Sequence, residues 1–100
     1  MIYINGTEWG VEIVSPFHPS LLTPEGTIAL GCCDDWLKTI FVNGNQSKAH
    51  IKRTLAHEIV HAIMYSYNID IDDYTEEILA TYGEDLVFLS NMIYKKLGLI

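Results

Sequence analysis

The segment TLAHEIVHAIMY, Thr54 to Tyr65, holds two histidines four residues apart, with a glutamate directly after the first. On a helix, His57 and His61 project from one face about 6 Å apart, the separation that lets two imidazoles share a zinc ion. Glu58 turns about 100° away from His57. It can flank such an ion without ligating it, in the place of a general base that takes a proton from water. His57 and His61 are therefore the candidate metal ligands and Glu58 the candidate catalytic residue. No histidine follows His61. A third protein ligand further along must be a carboxylate, or water takes its place.

If the helix carrying this motif packs antiparallel to the next one, residues equidistant from the connecting loop lie opposite each other. The midpoint between His61 and Glu76 or Glu77 falls at Asn68 to Ile69, within the turn-like acidic segment NIDIDD. The first turn of the second helix therefore faces His61. On a helical wheel the apolar stripe centres on Tyr82, Leu86 and Ile93. Glu76 lies at its edge, beside Ala80 and Gly83, and Glu77 points further towards solvent. The wheel favours Glu76 as the third ligand, with Glu77 as the alternative. Either carboxylate also suits a helix N-terminus for its own sake.

The elements that must position these residues can be read from periodicity and turn chemistry. Residues Ile2 to Val14 alternate around Asn5-Gly6, a hairpin turn, with Trp9, Val11 and Ile13 on one face. All three prolines fall between Ser15 and Gly26, which marks a loop that also carries His18. Thr27 to Cys33 and Thr39 to Asn43 are β-rich runs that suggest a second hairpin. Ser47 can cap a helix from Lys48 to about Ser66, with Ile51, Leu55, Ile59 and Ile63 towards the sheet. A second helix from about Tyr74 to Leu97 follows, with Ile78, Leu79, Tyr82, Leu86, Leu89 and Ile93 on one stripe, and Gly98 suits its end. The expected fold is α+β: a small antiparallel or mixed sheet packed on the motif helix, followed by a helix that returns the third ligand.

With 100 residues, 49% of them hydrophobic, the chain can build one core and not two, so residues 1–100 are expected to form one domain. A formal charge of −7 repels phosphate, so neither nucleic acid nor an anionic membrane is expected as a partner. The N-terminus MIYINGTEWG lacks the basic and apolar regions of a signal peptide, and no apolar run approaches the length of a membrane span. A cytoplasmic location is the expectation. The only cysteines, Cys32 and Cys33, are adjacent, and neighbouring Cα atoms about 3.8 Å apart lie below the usual disulfide range. Thiols in a reducing compartment agree with this.

HEIVH, the carboxylate in EEILATYG (Glu76 to Gly83) and the β-rich segment just upstream together resemble the gluzincin-type zinc metallopeptidases, in particular their very small, phage-associated forms. The resemblance covers about Thr27 to Leu97. It implies a zincin-like fold, a zinc ion (Zn2+) as cofactor and a glutamate on the following helix as third ligand, often with Asp or Asn four positions on. Glu76 takes the ligand's place and Ala80 stands where that Asp or Asn would be. The resemblance also implies that the strand Gly31, Cys32, Cys33 and Asp34 rims the cleft and binds an extended peptide by strand addition.

The function these residues suggest is hydrolysis of a peptide or protein substrate. Zinc held by His57, His61 and Glu76 would keep a fourth position open, with Glu58 moving the proton. Tyr65, His50, Tyr67 and Tyr74 lie near enough to be considered as oxyanion donors. The alternative is a zinc-binding interaction module or inactive pseudo-peptidase, in which Asp70, Asp72, Asp73 or Glu77 closes a structural site and the acidic surface binds a partner.

Overall fold

The computed structural model describes residues 1–100. Two strands, β1 (Ile2–Ile4) and β2 (Thr7–Val14), form the first antiparallel hairpin, with Trp9 opposite Ile2. Asn5 and Gly6 both adopt positive φ, 47° and 78°, the conformation that a two-residue hairpin turn demands. The second hairpin joins β3 (Gly31–Asp34) to β4 (Thr39–Asn43), with Cys33 opposite Ile40. The sheet order is β1-β2-β4-β3 and the sheet is mixed, because β2 and β4 run parallel from Gly10 and Thr39 to Val14 and Asn43. β3 is consequently an edge strand.

β3 is shorter than the run Thr27 to Cys33 suggested. Residues Thr23 to Ala29 fold back on themselves: the Thr23 amide donates to the Thr27 carbonyl and the Ala29 amide to the Leu21 carbonyl. Those groups are used within the loop, so pairing with β4 begins only at Gly31. A 3-10 turn at Pro19–Leu21 carries the buried Leu21, and the His18 ring stacks on Phe41 at 4.9 Å. His18 is thus a packing residue of the loop, its Nδ1 accepting from the Ser20 amide.

On the other face of the sheet lies α1 (Lys48–Ser66), which begins at Ser47, whose hydroxyl accepts from the His50 amide. Trp9, Ile40, Val42 and Ala62 are fully buried between sheet and helix, with Val11, Cys33, Ile51, Leu55 and Ile59 packed around them. The Trp9 indole also donates to the Ser66 hydroxyl at 2.7 Å, pinning the end of the helix to the first hairpin. Ile13 and Ile63, expected on these inner faces, are exposed. The small Ala62 takes the contact beside Ile63.

The second helix, α2 (Asp73–Lys96), is capped by Asp72, which accepts from the Thr75 amide. Gly98, with φ of 70°, follows its end. α2 packs antiparallel on α1, through a face the apolar stripe did not indicate. Ala80 is its only buried residue, whereas Tyr82, Leu86, Leu89 and Ile93 are all more than half exposed. The contact is made by small residues, and a Cβ placed on Gly83 would lie 2.5 Å from Cγ2 of Val60. Arg53 closes the outer end by lying over the Phe88 ring, 4.7 Å from its centre. The layers therefore run sheet, α1, α2.

Candidate metal centre

α1 holds His57 and His61 one turn apart with ring centres separated by 5.1 Å. Each imidazole uses its two nitrogens in different directions. The Nε2 atoms converge on one carboxylate: Glu77 Oε2 is 3.1 Å from His57 and Glu77 Oε1 is 2.9 Å from His61. His57, His61 and Glu77 thus form a trio whose potential ligand atoms all lie within 4.8 Å of one another. The Nδ1 atoms point the other way, each to a separate carboxylate. His57 meets Glu84 Oε2 at 2.9 Å and His61 meets Glu76 Oε1 at 2.8 Å.

This arrangement suits a divalent metal. A ring that donates Nδ1–H to a carboxylate keeps its Nε2 lone pair available, and that pairing fixes tautomer, ring orientation and basicity together. Both rings meet a carboxylate through Nδ1 in this way, and the two oxygens of Glu77 face their Nε2 atoms, where a cation would be held. Two imidazoles and a carboxylate are also the donor set of catalytic zinc sites that keep one position open.

Of the two carboxylates weighed in the sequence, Glu77 is the one whose oxygen groups with the imidazole nitrogens in this geometry, and Glu76, the one the wheel favoured, meets His61 at Nδ1. Glu76 is the more buried of the two, its side chain 15% exposed against 59% for Glu77, as the wheel implied. The inner carboxylate, Glu76, meets Nδ1 of His61, whereas the more exposed Glu77 faces the Nε2 atoms of both rings. Ala80, expected where an orienting acid might stand, is buried in the helix contact, and Glu84 does that work for His57. Its position was marked in the sequence by spacing: it lies two turns beyond Glu77 on the same helical face.

Glu58 is 7% exposed, and its Oε2 is buried with no hydrogen-bond partner. Burial pushes its carboxyl above the usual range; His61 and His57 pull it down, while Glu77 and Glu84 push it further up, and the balance is a raised value. For His61, burial works against the charged form, but the Glu76 hydrogen bond and the Glu58 and Glu77 carboxylates outweigh it, so its pKa is raised.

Glu58 and His57 line one cavity of about 330 Å³ together with Leu30, Gly31, Thr54 and Glu84. β3 therefore enters the site at its first residue. A Cβ on Gly31 would stand 2.6 Å from Cγ2 of Thr54 and 3.1 Å from Cγ of Glu58, so only glycine lets the strand approach the motif helix this closely. Gln46 fixes the approach, donating to the carbonyls of Leu30 and Asn43 and accepting from the Thr54 hydroxyl. Cys33 packs on the core beneath α1, and Cys32, one residue away, faces the other side of the sheet. Burial, then the Glu58 carboxylate, raises both thiol pKa values, which holds them as neutral thiols. Asp34 ends the strand and accepts from the Leu37 amide in the turn. Of the residues considered as oxyanion donors, Tyr65 stacks on Trp9 with centres 6.4 Å apart, and His50 is engaged with Ser47.

No curated protein and no solved structure matches the chain significantly. Residues 10–92 match a sequence family described as Peptidase_M78, the IrrE N-terminal-like domain.

Proposed function

The chain belongs to the IrrE N-terminal-like family of metallopeptidase-like proteins, and on that premise we propose that it is a zinc-dependent peptidase acting on extended peptide segments. One observation carries this reading: both histidines present Nε2 to a shared carboxylate while separate carboxylates hold both Nδ1 atoms, beside a buried glutamate with an unpaired oxygen.

His57, His61 and Glu77 would hold the ion, which when bound supplies Lewis-acid activation of a water and of the scissile carbonyl. Glu58 takes the proton from the attacking water and returns it to the leaving amine, and its raised pKa makes it a better base for the first of these steps. The free edge of β3 gives a backbone template for an extended substrate, with Gly31 beside Glu58 and the strand running on through Cys32, Cys33 and Asp34. A closed structural zinc would require a fourth protein ligand. Asp72 is committed to the α2 cap and Glu76 and Glu84 to the Nδ1 atoms, and neither Asp70 nor Asp73 joins the cluster of His57, His61 and Glu77. This favours catalysis over an interaction module braced by zinc.

The test is zinc content and hydrolysis of unstructured protein substrates by untagged protein, for the parent and for Glu58→Gln. The expected result is about one zinc per chain in both and a loss of activity of about a hundredfold or more in the variant. Equal cleavage rates with equal zinc would refute the role of Glu58, and a parent without zinc after supplementation would refute the site itself.

A further inference from the structure

The cavity beside His57 and Glu58 continues past the metal centre. Leu30, Thr54 and Glu84 also line a second cavity of about 330 Å³, to which Asn45, His50 and Arg53 contribute. Arg53 stands one turn before His57, and His57 one turn before His61, so the cation and the two imidazoles form a single row along α1. One helical turn advances about 5.4 Å and an extended peptide about 3.3 Å per residue. A substrate lying along this row therefore comes level with Arg53 within about three residues of the bond that is cut.

Arg53 is held in place, yet its donors are unused. The guanidinium lies over the Phe88 ring, 4.7 Å from its centre. Its Nη1 is 3.9 Å from Asp85 Oδ1, beyond hydrogen-bond reach, and the side chains are 38% and 61% exposed, so the pair is weak. Glu84, the other acid lining this cavity, is turned to Nδ1 of His57 at 2.9 Å. From Thr39 to His57 the chain carries Lys48, Lys52 and Arg53 and no acid, whereas Asp70, Asp72, Asp73, Glu76 and Glu77 crowd the segment that follows α1. The row of ligands thus runs from a cationic end to an acidic one.

We propose that Arg53 determines specificity at this site by receiving the side-chain carboxylate of an aspartate or glutamate that lies within about three residues of the cut bond. The inference rests on the peptidase reading for the lie of the substrate; the charge it selects follows from Arg53 and the cavity. A planar guanidinium offers a carboxylate two parallel N–H···O bonds, a geometry that an amide of the same shape cannot match in charge. His50, whose Nδ1 meets the Ser47 hydroxyl at 2.9 Å, keeps Nε2 for the same group. Leu30 directly precedes β3, so a peptide paired along the edge of that strand leaves its template at Gly31 and enters this cavity.

A pair of capped alanine peptides with a central glutamate or a central glutamine tests this by binding alone, on zinc-supplied Glu58→Gln protein labelled with 15N. The glutamate peptide should shift the Nε–H resonance of Arg53 and bind about three- to tenfold more tightly than its glutamine counterpart, with the difference shrinking in high salt. Adding Arg53→Gln should abolish the preference while far-UV circular dichroism is retained; should that variant fold poorly, the comparison of the two peptides on protein with Arg53 intact decides. Cut sites of the parent in a random-sequence peptide library, mapped by mass spectrometry, should carry a nearby acid more often than those of Arg53→Gln. Equal binding of the two peptides, or cut sites indifferent to acids, overturns the proposal and leaves the peptidase reading standing. A glutamate preference that depends on Arg53, in a parent that cleaves nothing, supports the subsite and refutes the peptidase.

Discussion

α1 and α2 contribute to one site from very different supports. α1 is gripped from two sides, by the sheet through Trp9, Ile40 and Val42 and by α2 through Ala56 and Val60. α2 is held chiefly by α1, and Ala80 is its one buried residue. The two histidines and Glu58 thus stand on a fixed element, whereas Glu76, Glu77 and Glu84 all arrive on a helix held along one narrow face. The lesson is that the imidazoles are preset, and their completion depends on how closely the second helix approaches.

Removing a carboxylate from each side of the imidazoles exposes this asymmetry most strongly. Glu77→Ala should reduce zinc affinity by more than Glu76→Ala, which deletes only the partner of His61 Nδ1 and should cost about 10- to 100-fold. Competition titration with a chelator measures both. The reverse order would restore Glu76 as the third ligand. A subtler break is Gly83→Ala. The added methyl gains about 0.5–1 kcal/mol of helix propensity but meets the stiff β-branched Val60 at 2.5 Å, and overpacking typically costs about 1–3 kcal/mol. The expected outcome is a net loss of roughly 1 kcal/mol in chemical unfolding, together with weaker zinc binding, although no ligand has been touched. Retained stability and retained affinity would show that the helices separate without consequence.

The smallest effect concerns the cap of α2. Hydrogen bonds from the Thr75 amide and then its hydroxyl hold the Asp72 carboxyl below its ordinary value of 3.8. A depressed folded-state pKa stabilises the protein above the unfolded value, and that contribution is lost as pH falls through the folded one. Asp72→Asn keeps a capping oxygen without the charge. Its melting temperature should sit slightly below the parent's at neutral pH, and the difference should vanish below the folded-state pKa. A difference that persists unchanged in acid would assign the cap's effect to something other than this charge.

How much could be read from the sequence divides along the same line between the helices. α1 was legible to the residue, because Ser47 is a strong cap and Ile51, Leu55 and Ile59 have a sheet to face. Both hairpins were legible from Asn5-Gly6 and the β-rich runs. The parallel pairing of β2 with β4 was not, since strand order across a long loop leaves no local mark. For α2, periodicity located the helix and misassigned its faces. The large apolar stripe is exposed, and the helices meet through Ala80 and Gly83, small residues beside Glu76 that let them approach closely. The choice of Glu76 followed from that. The wheel ranked its burial correctly, and the more exposed Glu77 is the carboxylate that faces both Nε2 atoms.

The strand order also bears on how the molecule assembles. Each hairpin closes over a short stretch of chain, but the parallel pair must bring Thr39 back beside Gly10, across the loop and all of β3. That is the pairing with the greatest loop-closure entropy in the sheet, and topologies of this kind slow folding. α1 bridges the two hairpins through Trp9 on one and Ile40 on the other. The helix that carries the histidines is therefore also the joint at which two locally formed halves become one sheet, so the geometry of the metal site and completion of the fold are decided in the same event.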